Sequence, residues 1–185
     1  MFYVNLGMRH ITDLQGYDHM LFLLALTLPL SLKNWKPMLR WITAFTLGHS
    51  LALGLSAMEL LKVPSGYIEL AIALSIGVTA VLHLLSGFKV NRMGMLVSGV
   101  FGIVHGFGFG SYYSFIAQSD SFWWAWIPFN LGIELGQIMV VLAVLLVYWF
   151  IEKMSVRPQA YRLVISGGIL ALSFQMILEL SLIHI

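Results

Sequence analysis

Long uninterrupted apolar runs, separated by short polar breaks, dominate the chain. A helix that crosses a bilayer needs roughly 20 mostly apolar residues. Six stretches reach that length, at about 14–32, 38–61, 67–88, 93–117, 123–151 and 160–182. The breaks hold Lys33, Lys36-Pro37, Lys62, Pro64-Ser65-Gly66, Asn91-Arg92 and Pro158, which are turn and boundary residues. Pro128 falls in the first turns of the fifth run, where a missing N–H does little harm. Pro29 sits late in the first run, where it kinks or ends a helix. The runs are continuous rather than alternating, which argues against a closed barrel. The pattern predicts an all-α fold, a polytopic transmembrane bundle of six helices forming a single transmembrane domain over residues 1–185.

Composition strengthens that reading. Hydrophobic residues make up 59% of the chain and charged residues 10%, whereas soluble domains run near 45–50% and 25%. Too little charge is available to cover a soluble domain. A net charge of +2 spread over the loops makes no basic stripe, which excludes a nucleic-acid partner. With no cysteine, thiolate metal sites and Cys nucleophiles are excluded. Arg9, His10, Asp13 and Asp18 interrupt the start of the chain, so the first apolar segment is expected to stay in the mature protein. Orientation follows from the basic residues. The odd-numbered loops carry Lys33, Lys36, Arg40, Lys89, Arg92, Lys153, Arg157 and Arg162, and the other segments only Arg9 and Lys62. That bias places the odd loops in the cytoplasm and both termini outside, in the periplasm of a bacterial inner membrane. Trp35 and Trp41 fit an inner aromatic belt; Tyr67, Tyr112, Tyr113, Trp123, Trp124 and Trp126 fit an outer one.

Ionisable side chains are costly in hydrocarbon, and each one in a span marks a candidate functional site. The spans contain Asp18, His19, His49, Glu69, His83, His105 and Glu134. At 1.5 Å per residue, His49 lies roughly 14 Å from the cytoplasmic edge, His105 roughly 20 Å, His19 roughly 21 Å and Glu134 roughly 27 Å. Three histidines and a carboxylate from four helices therefore lie between mid-depth and the outer leaflet, which points to one shared site. Asn130, Glu134 and Gln137 fall on one face of the fifth helix. Gly16-Tyr17-Asp18-His19 echoes Gly102-Ile103-Val104-His105, as an inverted three-plus-three repeat would require. Imidazole with carboxylate suits nickel, zinc, cobalt or iron. The metal set read from the spans is Asp18, His19, His49, His105 and Glu134; His10, Asp13, Glu69, Asn130 and Gln137 are further candidates. His10 and Asp13 read equally as a cation entry point or as solvated polar residues. His83 reads as an interhelical hydrogen bond and His184 as a frayed end.

The stretches Gly16–Leu24, Phe45–Ser50, Gly102–Phe109 and Phe129–Gln137 resemble the HupE/UreJ family of bacterial membrane proteins, as does Glu69–Ser75. The resemblance runs in order over about residues 7–150. It implies a six-helix membrane protein linked to nickel supply for hydrogenase or urease, with nickel or cobalt permease activity proposed. It marks Asp18, His19, His49, His105, Glu134 and Gln137 as functional positions. Where family members often carry a His four residues before the motif Gly, this chain has Thr12, with His10 nearby. The leading function is transport of a divalent transition metal, nickel first, with the ion entering past His10 and Asp13. An intramembrane metal-dependent hydrolase and a non-catalytic accessory subunit are the alternatives. The expected partners are the lipid bilayer and the metal ion, with a homo-oligomer or a membrane partner left open.

Overall fold

The computed structural model describes residues 1–14, 16–31, 35–86, 92–116 and 121–183. Lys33, Lys89, Asn91 and His184 lie outside the described residues. Among those described, the chain is all helical, with seven helices. They are α1 (Phe2–Thr12), α2 (Asp18–Thr27), α3 (Trp35–Ala57), α4 (Ser65–Ser86), α5 (Arg92–Ile116), α6 (Phe122–Lys153) and α7 (Pro158–Ile183). α4, α6 and α7 are long and apolar enough to cross a membrane.

The start of the chain departs most from the sequence pattern. Among the described residues, the expected run over about 14–32 is α-helical over Asp18–Thr27 only, and residues 2–12 form a separate helix. The backbone turns extended at Asp13 (φ −68°, ψ 120°), and Gly16 follows before α2 begins. Neither piece can span alone: 11 and 10 residues make helices of about 16 and 15 Å. They run end to end in one direction along α6. Gly132 of α6 lies against Val4, and Gly136 lies against Met8 and Ile11 of α1. Farther along α6, Tyr148 lies close to Thr27 at the end of α2. Asn5, Arg9 and His10 dilute the apolar pattern of α1, so no spanning run starts there. Its buried face is carried by Gly7 and Ile11.

Four glycine contacts organise the bundle. A Cβ on Gly7 of α1 would fall on the Phe129 carbonyl oxygen of α6, and one on Gly102 of α5 on the Phe45 carbonyl oxygen of α3. Likewise Gly132 meets the Val4 carbonyl oxygen, and Gly48 the Gly99 carbonyl oxygen. Only residues without a Cβ let backbones approach so closely, and without a hydrophobic drive in lipid this packing is what holds helices together. These contacts repeat in register. A shift of 95 carries Val4 and Gly7 of α1 onto Gly99 and Gly102 of α5, while a shift of 84 carries Phe45 and Gly48 of α3 onto Phe129 and Gly132 of α6. Within each pair the helices are parallel. The pairs oppose each other, since Thr43 bonds Glu134 while Ser50 bonds Asn130. The contacts thus have the symmetry of an approximate twofold axis lying across the helices. The shift of 95 also carries Gly7-x-x-His10 onto Gly102-x-x-His105. The mate of the His105 motif is therefore the His10 segment and not Gly16–His19.

α4 and α7 flank these pairs. Ser173 Oγ of α7 donates to the Ala73 carbonyl of α4 at 2.8 Å, and Ile68 and Ile72 of α4 approach Gly108 of α5. Phe22, Phe45, Tyr113 and Phe129 fill the core. Trp41 and Tyr113 are not belt residues. Trp41 is buried against Gly94 at 2% exposure, and Tyr113 stacks obliquely on Phe129 at 5.0 Å between ring centroids.

Candidate metal centre

The break between α1 and α2 places two histidines side by side. His10 stands in the last turn of α1 and His19 in the first turn of α2, with ring centroids 4.6 Å apart. His49 of α3 completes a triangle, 5.7 Å from His10 and 5.9 Å from His19. Each of the three offers a ligand atom within 4.8 Å of the others. His105 of α5 adjoins His19 at 5.1 Å. Phe22, Phe45, Phe109 and Phe129 pack around these rings, with His10 and Phe109 centred 3.9 Å apart. The imidazoles thus sit inside an apolar shell.

The hydrogen bonds orient two of the rings. The Nδ1 of His105 is 2.8 Å from the Phe101 carbonyl, and the Nδ1 of His19 is 3.2 Å from Asp18 Oδ1. A carbonyl or carboxylate oxygen only accepts, so in each neutral ring Nδ1 carries the proton and Nε2 keeps its lone pair. His10 Nε2, His19 Nε2, His105 Nε2 and both nitrogens of His49 are buried without a hydrogen-bond partner among the described residues. Buried polar atoms in native proteins are almost always paired, and a cluster left unpaired at one point is chemically unfinished. Three imidazoles with ligand atoms within reach of one another, one of them held by a carboxylate and with His105 alongside, match the donor set of a borderline divalent transition metal. The pairing of Asp18 with His19 matches the outer-shell carboxylate that holds a metal-bound imidazole in its tautomer.

The remaining candidates fall elsewhere. Glu134 accepts from Thr43 Oγ1 at 2.7 Å on the α3–α6 face and is outside the histidine group. Asn130 accepts from Ser50 at 2.5 Å and donates to the Trp126 carbonyl at 2.8 Å, so both ends of its amide are used. Gln137 accepts from Thr46 at 2.9 Å, and its Nε2 is buried without a hydrogen-bond partner among the described residues. These pairs form an interhelical ladder beside the cluster. His83 makes the interhelical bond expected of it, donating to the Ala25 carbonyl at 2.9 Å. Two cavities reach the cluster's edge. One, near 470 Å³, is bounded by Asp18 with the exposed carboxylates Glu69 and Glu179. The other, near 600 Å³, is bounded by His10 with Arg9 and the exposed Asp13.

His10 is the residue that sequence spacing undervalued. Depth arithmetic counts from the ends of long apolar runs, and α1 has none. Its available signal was Gly7-x-x-His10, which repeats the Gly-x-x-His of α5.

The family model described as HupE / UreJ protein matches residues 1–180. The chain belongs to the HupE/UreJ family. No curated protein and no solved structure matches it. Together with its long apolar helices, this makes the chain a membrane protein of the HupE/UreJ family. That family is linked to metal handling, and this member holds a histidine group able to take a metal ion.

Proposed function

We propose that this HupE/UreJ protein carries a divalent transition metal, nickel first, across a bacterial inner membrane, with His10, His19, His49 and His105 as its ligands and Asp18 behind His19. The observation that carries the reading is the group of three imidazoles, His10, His19 and His49, whose ligand atoms lie within 4.8 Å of one another on three helices, with His105 of a fourth helix beside His19 and with buried ring nitrogens that have no hydrogen-bond partner among the described residues. Cobalt and zinc suit the same donors. Glu134 and Gln137, on the neighbouring ladder, act on helix movement rather than on the ion.

In this reading α1 and α2 together make one broken crossing, so six crossings bring both termini to one face. The loop charges put that face in the periplasm. The Asp18–Glu69–Glu179 cavity supplies the cation's approach, since three carboxylates attract a dication and Arg9 beside His10 repels it. A discontinuous helix at the site, with opposed helix pairs around it, is the architecture in which rocking of one pair against the other exposes a central site to each side in turn. Protonation of the imidazoles releases the ion, because imidazolium has no lone pair to give.

The test is elemental analysis of detergent-purified protein after incubation with Ni²⁺, beside the variants His49→Ala and Gln175→Ala. We expect near-stoichiometric metal in the wild type and in Gln175→Ala, and loss in His49→Ala. Equal metal in all three, or none in the wild type with Ni²⁺, Co²⁺ or Zn²⁺, refutes the assignment.

A further inference from the structure

At the opposite end of the bundle from the acidic cavity lies another, near 700 Å³, where the ends of α2 and α4 meet the start of α7. Its polar lining is Arg157, Gln159 and Arg162 with His83 and Ser166, and no described lining residue is acidic. Ser166 is buried at 1% exposure, so the cavity reaches below the surface. The Nε of Arg162 is buried and has no hydrogen-bond partner among the described residues. A guanidinium N–H left unpaired in a buried position is costly, and native structures normally give it an acceptor. Another part of the Arg162 guanidinium lies against the Tyr161 hydroxyl, which donates to Glu152 at 3.0 Å, and neither Tyr161 nor Glu152 lines the cavity. α7, 26 residues long, begins at Pro158 on the cavity wall, so the positive end of its dipole adds to the two arginines.

Two guanidinium forks lining one cavity match the oxygens of a phosphate. The cavity also lies among the basic loops, at the face where anionic headgroups meet a membrane protein. A general bias of basic residues toward the cytoplasm explains arginines on a loop. It does not explain a buried, unpaired Nε beside a cavity. We infer that this cavity binds a phosphate group, presented by an anionic phospholipid headgroup or as free inorganic phosphate, with Arg157 and Arg162 as its ligands.

The test is thermal melting of the purified full chain, titrated separately with phosphatidylglycerol, phosphatidylcholine and inorganic phosphate. The variants are Arg157→Gln, Arg162→Gln and Arg162→Lys. Arg157 is exposed, so its replacement leaves the bundle folded and keeps the test decisive even where Arg162→Gln does not fold. We expect saturable stabilisation by phosphatidylglycerol or inorganic phosphate and none by phosphatidylcholine. Arg157→Gln weakens that response by about tenfold, and Arg162→Lys weakens it too because the charge remains but the fork is lost. A response to the lipid alone identifies a headgroup site; a response to inorganic phosphate identifies a soluble-anion site. No response to either ligand, or an undiminished response in Arg157→Gln, overturns the inference.

Discussion

Replacing Gly102 by alanine tests the packing that assembles the metal centre. The added Cβ falls on the Phe45 carbonyl oxygen, and stands 2.9 Å from the Phe45 carbonyl carbon and 3.0 Å from its Cα. All three are backbone atoms and cannot swing aside. Restoring ordinary contact separates α3 from α5 by about 1 Å, and a gap of that size forfeits a quarter to a half of each affected dispersion contact. Overpacking of this kind costs about 1–3 kcal/mol, which corresponds to a melting temperature lower by roughly 2–12 °C for a chain of this length. The same displacement moves His49 on α3 away from His105 on α5. Gly7→Ala is the repeat-related counterpart, striking the Phe129 carbonyl oxygen, and separates α1 with His10 from α6. Gly168 is the control, because a Cβ there meets nothing within 4 Å; alanine at that site gains up to about 1 kcal/mol of helix propensity. Melting of each variant in detergent, with metal content measured on the same samples, gives the result. We expect Gly102→Ala and Gly7→Ala to fall together in stability and in bound nickel, and Gly168→Ala to hold or rise. A Gly102→Ala protein as stable as the wild type refutes the close-packing argument. A loss in Gly102→Ala without one in Gly7→Ala refutes the equivalence of the two pairs.

Other predictions follow from the same geometry. Asp18→Asn removes the carboxylate that fixes the His19 tautomer and weakens nickel binding by about 10–100-fold, as read by equilibrium dialysis; unchanged affinity removes Asp18 from the site. Proton competition for imidazole, whose ordinary value is near pH 6.5, makes bound nickel fall as pH drops below about 6 and recover above 7; a flat profile between pH 5 and 8 speaks against histidine ligation. Ser50→Ala leaves the Asn130 carbonyl without its donor and costs about 0.6–2 kcal/mol. Its effect on melting should exceed its effect on metal content. Replacing Glu134 by glutamine keeps an acceptor for Thr43, so nickel binding is expected within twofold of the wild type while transport into vesicles slows; a complete loss of bound metal places Glu134 among the ligands instead.

What could be read from the chain and what could not divide along a physical line. An apolar run long enough to span is a local property, and it was enough to identify a helical membrane protein. It also located α3 to α7 to within a few residues, because Pro37, Pro64 and Pro158 fall at or just before helix starts, where a missing N–H is tolerated. The cost of charge in hydrocarbon is equally local, which is why His19, His49 and His105 stood out before any contact was known. Their meeting point was not local. It depends on the helix ending at Thr12 and starting again at Asp18, so that α1 and α2 abut, and on Gly7, Gly48, Gly102 and Gly132 setting how closely the helices approach. His10 was undervalued because α1 is too short and too polar to register as part of a span. Depth alone groups Glu134 with the histidines, yet depth does not fix azimuth. The face of α6 that carries it turns toward Thr43, and only the packed bundle decides that.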